Sequence, residues 1–328
     1  MRAIRFAEHG DPLSVLRLED VPTPEPGPGE VRLRITHRPV HPADLYCIQG
    51  SYPVRPELPG SPGLEGFGVV DAVGPGVKNV ARGQRAVPAT GAPGTWVEFM
   101  IVPAEGVLPV PDAISEQVGA QIFANPMTAW AMLTDELDLN PGDWVVQTAA
   151  GSTLGQITVQ LARHMGIRTI NVVRRREHVM MLRNAGADAV ICTADESVVE
   201  RVRDITNGAG VRGAIDAVGG TLGAEIAACL GPGGTMLTMG LLSRAPLGPL
   251  DAAHMIFQGT TVRGFWIVTW LQKQSPESLN TALGQVLGLL ANGTIAPPLE
   301  AEYDLAEFRK AIEHVQRSGK SGKVLLRG

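Results

Sequence analysis

Two groups of residues, one containing glycine and one arginine, could together bind the phosphates of a nucleotide. Gly151 and Gly155 lie in a run of small residues at 149–155, where backbone N–H groups could approach a pyrophosphate closely. Arg174, Arg175 and Arg176 stand where an enzyme that uses NAD places an acid against the ribose hydroxyls. Because three cations there favour an additional phosphate, the pattern predicts a site for an NADP-type dinucleotide.

A predicted βαβ unit positions these residues. Residues 144–148 and 170–173 are apolar runs typical of buried parallel strands. Between them, a helix is predicted to begin at Gln156 and to end at Gly166, whose left-handed conformation stops it. This order is typical of the first unit of a dinucleotide-binding domain.

Each part of this pattern also has a simpler interpretation. The turn has two glycines where the usual fingerprint has three. Residues 174–176 could be the solvated start of a helix, although cations at a helix N-terminus are unfavourable unless an anion offsets them. The order of strand, turn, helix, strand and arginines favours the nucleotide site.

The composition is that of a globular protein with sizeable cores. The chain has 328 residues, of which 44% are hydrophobic, and a formal charge of −5. This charge argues against nucleic-acid or membrane-surface binding, and no apolar run approaches the ~20 residues of a membrane-spanning helix. We expect the cytoplasm, or an organelle matrix if a leader has been removed. Cys47, Cys192 and Cys229 are too scattered to indicate a disulfide framework or a metal site, so inert thiols are expected.

The change of pattern along the chain predicts two domains. The first third alternates short strands with Pro/Gly turns, which is typical of a small, partly open β-barrel. From Ser115 onward, helical periodicity alternates with strands, as in a doubly wound parallel sheet. A last strand at 323–326 would pair with the N-terminal domain and make that domain discontinuous. The strands predicted for the parallel sheet are 144–148, 170–173, 189–192, 213–217, 235–240 and 261–266.

With this order of domains, the whole chain resembles the medium-chain dehydrogenase/reductase superfamily. Residues 63–68 (GLEGFG), 140–145 (NPGDWV) and the turn at 149–155 carry the resemblance. The zinc alcohol dehydrogenases of this superfamily have a Cys-His pair at the place of Val40-His41 and a four-cysteine lobe that this chain lacks, so we predict no metal. The resemblance implies an α/β fold with a doubly wound, six-stranded parallel Rossmann domain at 119–266 and a discontinuous GroES-like β-barrel catalytic domain at 1–118 and 267–328.

Within the zinc-free branch, two segments are similar to the 2-enoyl thioester reductases of mitochondrial fatty-acid synthesis more than to the quinone oxidoreductases. Residues 42–52 (PADLYCIQGSY) match the loop that carries that family's catalytic tyrosine, and Tyr52 falls on it. Residues 263–266 (RGFW), with Trp270 after them, match the family's aromatic segment beside the nicotinamide. One departure is His41, which stands where the family usually has Asn.

The same matching implies which residues bind NADPH. They lie in the Asn-Pro-Met-Thr segment, the small-residue turn, the arginine cluster, the end of the fifth strand, the aromatic segment and the C-terminal strand. The family often has an acid at the place of Arg175, a departure that leaves the NADP preference intact. The expected cofactor residues are Asn125, Thr128, Gly151, Ser152, Thr153, Leu154, Gly155, Arg174, Arg175, Arg176, Met239, Gly240, Leu241, Leu242, Phe265, Trp266, Ile267 and Lys323.

The implied reaction is NADPH-dependent reduction of the 2,3 double bond of trans-2-enoyl thioesters. Hydride reaches the β-carbon, and a proton must reach the α-carbon. Tyr52 is the expected acid, because a phenol with an ordinary pKa of about 10 is protonated at neutral pH. Trp266 is expected to wall the nicotinamide pocket and exclude water. The simpler alternatives are a loop tyrosine that covers a barrel edge and a core tryptophan.

Two other functions are compatible with these residues. A zinc-free NADPH:quinone or enone oxidoreductase would share the fold and cofactor without needing a tyrosine acid. A non-catalytic NADPH-binding protein would bind the cofactor without turnover. The sequence also leaves open whether coenzyme A or an acyl carrier protein presents the thioester, and how long the acyl chain is. A homodimer through the unpaired edge strand of the cofactor domain is expected.

Overall fold

The computed structural model describes residues 1–89 and 94–328. The chain divides into two units. Unit 1 comprises residues 1–124, 290–292 and 297–328, and unit 2 comprises residues 125–289 and 293–296. Among the described residues, every helix is too short or too polar to cross a membrane.

Strands and helices are numbered in chain order. The strands are β1 (Arg2–Arg5), β2 (Arg17–Asp20), β3 (Glu30–Pro39), β4 (Phe67–Val73), β5 (Arg85–Pro88), β6 (Phe99–Pro103), β7 (Val107–Pro109), β8 (Trp144–Gln147), β9 (Arg168–Val173), β10 (Ala189–Cys192), β11 (Val211–Asp216), β12 (Leu230–Thr238), β13 (Thr261–Gly264), β14 (Leu299–Asp304) and β15 (Lys323–Arg327). The α-helices are α1 (Pro12–Val15), α2 (Pro42–Ile48), α3 (Glu116–Gly119), α4 (Thr128–Ala131), α5 (Thr153–His164), α6 (Glu177–Asn184), α7 (Val198–Ile205), α8 (Gly220–Ala227), α9 (Ala252–Gln258), α10 (Ile267–Lys273), α11 (Pro276–Ala291) and α12 (Phe308–Gln316). Single π-helical turns at Phe123–Met127 and Met132–Glu136 flank α4.

The described residues of unit 2 form a six-stranded parallel sheet in the order β10-β9-β8-β11-β12-β13. This is the doubly wound order predicted from the sequence, and each predicted strand is present. The strands form because their apolar runs can be buried on both faces by the helices. Val146, Ile170, Ile191, Ala214 and Met236, from five successive strands of the sheet, lie in one buried cluster. The fold prediction for this part of the chain is confirmed.

The first helix of unit 2 begins earlier than expected. The sequence analysis placed its start at Gln156, whereas α5 begins at Thr153. The reason is that Ser152 is the N-cap, and its hydroxyl accepts a hydrogen bond from Gly155 N at 3.1 Å. The end is as predicted, since Gly166 follows α5 with a φ of 71°.

The division into units also differs from the predicted domain boundaries. Residues 267–289 were expected in the catalytic domain but belong to unit 2. Trp270 on α10 explains this placement, because its indole Nε1 donates a hydrogen bond to Asp135 Oδ2 at 3.0 Å. Residues 293–296 are held in unit 2 by Gln160 of α5, whose amide Oε1 accepts from Ala296 N at 2.8 Å. Local periodicity does not reveal such contacts.

The described residues of unit 1 form a seven-stranded sheet with the main order β14-β15-β3-β4-β5-β7, and β6 also pairs with β3. Strand β15 lies antiparallel to β3, with Leu325 opposite Pro39. This pairing confirms that the C-terminal strand returns to the N-terminal domain. The preceding strand, β14, pairs in parallel with β15 and was not anticipated from its polar sequence. Helix α12 connects the two strands and packs Phe308 and Ile312 into the core of unit 1.

We expect Gly155→Ala to lower the free energy of unfolding by about 1–3 kcal/mol, the usual cost of overpacking. An added Cβ would lie 2.4 Å from the backbone oxygen of Ala150 and 2.6 Å from its Cα. Gly284→Ala is the matched control, because it lies inside α11 with nothing within 4 Å of the added atom. It should stabilise the protein by about 0.5–1 kcal/mol. Urea unfolding measures the free energy of unfolding of both variants, and an equal change in the two variants would contradict the prediction.

Candidate functional site

The carboxyl ends of β8 and β11 lie side by side, where the strand order of unit 2 reverses. Open α/β sheets bind their ligands at this switch point. The turn at 149–155 follows β8, and Asp216 ends β11. Thr148 joins the two ends, since its hydroxyl donates to Asp216 Oδ1 at 2.8 Å.

The turn after β8 takes its shape from backbone conformation and close packing. Ala149 has a φ of 50°, which reverses the chain directly after the strand. Gln147 holds the far end of the turn, because its amide Nε2 donates to Gly155 O at 2.9 Å. With Ser152 as the N-cap, α5 begins at the switch point, and the N-terminus of a helix is a ready site for an anion.

Asp216 lies at the switch point, and the sequence analysis did not single it out. Its side chain is fully buried and accepts from Val218 N and Gly219 N, each at 2.9 Å, besides Thr148 Oγ1. These bonds fix the loop that follows β11. The signal available in the sequence was an acid at the end of an apolar strand, directly before small residues.

The predicted cofactor residues after β12 and β13 lie at the same edge of the sheet. Met239 N donates to Asp216 O at 2.8 Å, and Phe265 N donates to Thr238 O at 2.9 Å. Gly240 must remain small, since an added Cβ would lie 2.5 Å from Ala217 O. The side chains of the next two predicted residues, Leu241 and Leu242, are 69% and 56% exposed.

The two tryptophans of the aromatic segment have different surroundings. Trp266 is half-buried at the N-cap of α10, directly before Ile267. Trp270 is buried and hydrogen-bonded to Asp135, as expected of a core tryptophan. Arg263 is also structural, because its guanidinium pairs with Glu136.

The three arginines after β9 are not equivalent. Arg175 pairs with Glu177 at 3.2 Å, and Arg176 Nε lies 2.7 Å from Asp195. Protein carboxylates therefore offset two of the cations at the start of α6, which removes part of the electrostatic argument for a bound phosphate. Arg174 is exposed and has no ion pair among the described residues.

Five buried side-chain polar atoms of unit 2 lack a hydrogen-bond partner among the described residues. They are Asn125 Nδ2, His178 Nε2, Thr238 Oγ1, His254 Nε2 and Thr260 Oγ1. Asn125 lies in the π-helical turn before α4, which also carries the buried Thr128, and Thr238 ends β12. His178 packs against the turn, with Nδ1 2.5 Å from where a Cβ of Gly151 would lie. His178 beside the glycine turn and Thr238 at the carboxyl end of β12 are thus polar side chains that a dinucleotide at the switch point could use.

In unit 1, Tyr52 lies half-buried in the loop between α2 and β4. Two side-chain hydrogen bonds to the backbone hold this loop. Arg55 Nε donates to the carbonyl oxygen of Tyr52 at 2.9 Å, and Cys47 Sγ donates to Val54 O at 3.1 Å. The turn before it needs Gly50, whose φ is 75°.

A buried polar network lies at the start of α2. His41 Nε2 lies 2.7 Å from Glu65 Oε2, and His41 Nδ1 lies 3.1 Å from Lys323 Nζ. Asp44 accepts from His41 N at 2.6 Å and from Leu64 N at 2.9 Å. Burial raises the pKa of the Asp44 carboxyl, against the opposing effects of His41 and these N–H groups. Burial also lowers the pKa of the Lys323 ammonium to about 8.

Glu65 is the second residue that the sequence analysis missed, although its segment was noted. Its other oxygen, Oε1, accepts from Phe123 N at 2.6 Å and from Ala124 N at 2.9 Å. Gly63 brings the chain into position, because its φ is 106° and an added Cβ would lie 2.3 Å from Thr95 and Trp96. The sequence feature that could have identified Glu65 is a glutamate between glycines in an otherwise apolar segment.

Metal ligation and thiol chemistry have no support in the described residues. No group of three or more His, Cys, Asp or Glu among them could hold a metal ion. Cys47, Cys192 and Cys229 are free and buried. Burial raises the pKa of the Cys47 and Cys229 thiols to about 12, which agrees with the expected inert thiols.

Two family models match the chain, and both agree with the division into two units. The model of the alcohol dehydrogenase GroES-like domain matches residues 27–112, and that of the zinc-binding dehydrogenase matches residues 153–284. A curated relative, the mitochondrial enoyl-[acyl-carrier-protein] reductase of Xenopus tropicalis, is 33% identical. The similarity covers 99% of this chain and 95% of that protein.

Solved structures of quinone reductases are also similar. A putative NADPH:quinone reductase from Bacillus thuringiensis has a TM-score of 0.92 at 34% identity, covering 100% of this chain and 98% of the other. The Escherichia coli quinone oxidoreductase complexed with NADPH has a TM-score of 0.90 at 26% identity, covering 100% of both chains. The chain belongs to the medium-chain dehydrogenase/reductase superfamily and is related over nearly its full length to the mitochondrial enoyl-[acyl-carrier-protein] reductases.

Proposed function

We propose that this oxidoreductase uses NADPH to reduce the 2,3 double bond of trans-2-enoyl thioesters. The observation that carries the proposal is the full-length similarity to reductases named for enoyl-acyl carrier protein substrates. The switch point of unit 2 supports it, since the glycine turn suits a dinucleotide, as do the polar atoms of Asn125 and Thr238 that bond no described residue.

Tyr52 is the proton donor in this proposal. NADPH supplies the hydride that the β-carbon receives, which leaves negative charge on the thioester oxygen. A neutral phenol can hydrogen-bond that oxygen and release its proton toward the α-carbon, directly or through water. The bonds from Arg55 and Cys47 support this role because they restrain the backbone at and after Tyr52.

Different residues bind different parts of the cofactor. The backbone of residues 151–155 holds the pyrophosphate at the start of α5. Arg174, which pairs with no carboxylate of the described residues, takes the additional phosphate that distinguishes NADPH from NADH. Trp266 and the neighbouring Phe265 exclude water from the reacting carbon.

A quinone is the second candidate acceptor. The similar solved structures are named quinone reductases, and one of them is 34% identical with a TM-score of 0.92. Quinone reduction would need the same cofactor residues but no acid at Tyr52. A non-catalytic NADPH-binding protein would show binding and no turnover. Turnover of a panel of acceptors separates the three candidate functions. The panel contains trans-2-enoyl-CoA esters of several acyl chain lengths, a quinone and an aldehyde.

We expect turnover of the enoyl thioesters, unaffected by a chelator, and a loss of about 10²–10⁴ in kcat for Tyr52→Phe. NADPH oxidation followed at the nicotinamide absorbance measures both. The matched control is Tyr46→Phe, since Tyr46 is a half-buried tyrosine on the neighbouring helix α2. Unchanged turnover in Tyr52→Phe would remove the acid role, and turnover of the quinone alone would favour the second candidate.

Arg174→Ala should weaken NADPH binding by roughly 10–100-fold, the value of a charge-assisted hydrogen bond, and leave NADH binding unchanged. Arg176→Ala is the control. Because Arg176 already pairs with Asp195, its removal should weaken NADPH binding less than that of Arg174. Calorimetric titration of both variants with both cofactors makes the comparison. Equal losses for NADPH and NADH in Arg174→Ala would overturn the assignment of Arg174.

We also propose a homodimer through the edge of the unit 2 sheet. In the described residues, β13 pairs with β12 alone, and α9 directly before it exposes Ile256 at 73% and Phe257 at 82%. A free edge beside apolar side chains suits a two-fold contact.

Phe257→Asp should shift sedimentation toward the monomer, whereas Met180→Asp, at another exposed apolar residue on α6, should not.

A further inference from the structure

The imidazole of His178 fills the space beside the glycine turn of unit 2. An added Cβ at Gly151 would lie 2.5 Å from His178 Nδ1 and 3.0 Å from both Cε1 and Cγ of the same ring. No other heavy atom of the described residues comes closer to that position. The backbone of Gly151 lies outside the left-handed region, so its conformation does not require a glycine. The glycine is needed here because the ring of His178 occupies the place of a side chain.

Packing within unit 2 holds both sides of this contact. His178 stands in the first turn of α6, and Leu182, one turn later, lies in the same buried cluster as Ala150 of the glycine turn. On the side of the turn, Gln156 Nε2 donates a hydrogen bond to Gly151 O at 3.1 Å. The core of the unit therefore places the ring against the turn.

The two ring nitrogens of His178 have different surroundings. Nε2 is buried and has no hydrogen-bond partner among the described residues, whereas Nδ1 faces Gly151. A neutral imidazole carries one proton, and buried N–H donors without an acceptor are rarer in proteins than buried acceptors without a donor. The proton is therefore on Nδ1, and His178 presents an N–H donor to the glycine turn.

This donor adjoins the part of unit 2 to which the proposed function assigns phosphates. The glycine turn that His178 contacts is assigned the pyrophosphate, and Arg174, which is assigned the additional phosphate, precedes His178 by four residues. The neighbouring carboxylate of Glu177 pairs with Arg175 at 3.2 Å. Phosphate oxygens are strong acceptors, so a phosphate at this turn suits an N–H donor.

We propose that His178 is a phosphate ligand of NADPH and donates a hydrogen bond from Nδ1 to a phosphate oxygen. The inference rests on the NADPH site of the proposed function and adds a residue to that site. A bond to the pyrophosphate would support NADPH and NADH alike, whereas a bond to the additional phosphate would support NADPH alone. Titration with the two cofactors therefore tells which phosphate His178 binds.

Three variants test the donor. His178→Ala removes it, so NADPH binding should weaken about tenfold, the usual value of one hydrogen bond to a charged group. In His178→Asn, the amide Nδ2 takes the place of Nδ1 and should restore most of the affinity. His164→Ala is the matched control and should bind as wild type does, because His164 is exposed at the opposite end of α5 from the turn. Calorimetric titration with NADPH and with NADH measures each dissociation constant.

The contact with Gly151 gives a second test, which needs no cofactor. Gly151→Ala should lower the urea concentration at the midpoint of unfolding, because the added Cβ would collide with the ring. The double variant Gly151→Ala/His178→Ala should be more stable than Gly151→Ala, since the backbone accepts an alanine once the ring is absent. If the two substitutions lower the midpoint additively, the ring does not occupy this place and the inference is overturned.

Nitrogen-15 NMR reports the position of the proton in the free protein. His178→Asn identifies the signals of His178 among those of the seven histidines. We expect the neutral imidazole to carry its proton on Nδ1, and the Nδ1 resonance to shift when NADPH is added. A neutral ring with its proton on Nε2 would overturn the inference.

The binding data separate this inference from the proposed reaction. Unchanged affinity of His178→Ala for both cofactors would overturn the inference, as would His178→Asn that binds no better than His178→Ala. A wild-type protein that binds neither cofactor would contradict the inference and the proposed function together. NADPH binding that depends on His178, without turnover of enoyl thioesters, would count against the proposed reaction alone.

Discussion

A buried carboxylate is tolerated in a protein when hydrogen-bond donors surround it, and Glu65 imposes that requirement on several parts of unit 1. Its donors are the imidazole of His41 and the backbone N–H groups of Phe123 and Ala124. Through His41 the requirement extends to Lys323 on the last strand. The return of β15 to β3 is therefore a condition of this buried network as well as of the sheet.

Unit 2 shows a different constraint, the close approach of backbone to backbone at the switch point. Gly155 and Gly240 lie where a side chain would collide with Ala150 and Ala217. With those side chains absent, the loops after β8, β11 and β12 meet, and Asp216 fixes them through hydrogen bonds to Thr148, Val218 and Gly219. Among the described residues, this edge includes Thr238 Oγ1, a buried polar atom without a hydrogen-bond partner, and the N-terminus of α5, both of which suit the phosphate-bearing ligand proposed for the site.

The same fold serves enoyl thioester and quinone reductases, so the architecture alone does not select the acceptor. In the proposed function, the acceptor meets two side chains that lie outside the buried core. Tyr52 is in a surface loop, and Trp266 is half-buried at a helix start. Because neither position is required by the core, these residues could change with the substrate while the sheets stay the same.

The sequence by itself determined the elements, because burial and periodicity are local properties of a strand or helix. The apolar runs predicted every strand of the parallel sheet, and the run of small residues predicted the turn that follows its first strand. Only the tertiary structure decided which charged groups meet. Asp195 pairs with Arg176, Glu136 with Arg263, and Lys323 with His41, across long stretches of chain. It also decided that 267–289 joins unit 2 and that Ser152 starts α5. Such pairings depend on packing between distant segments, which no local pattern encodes.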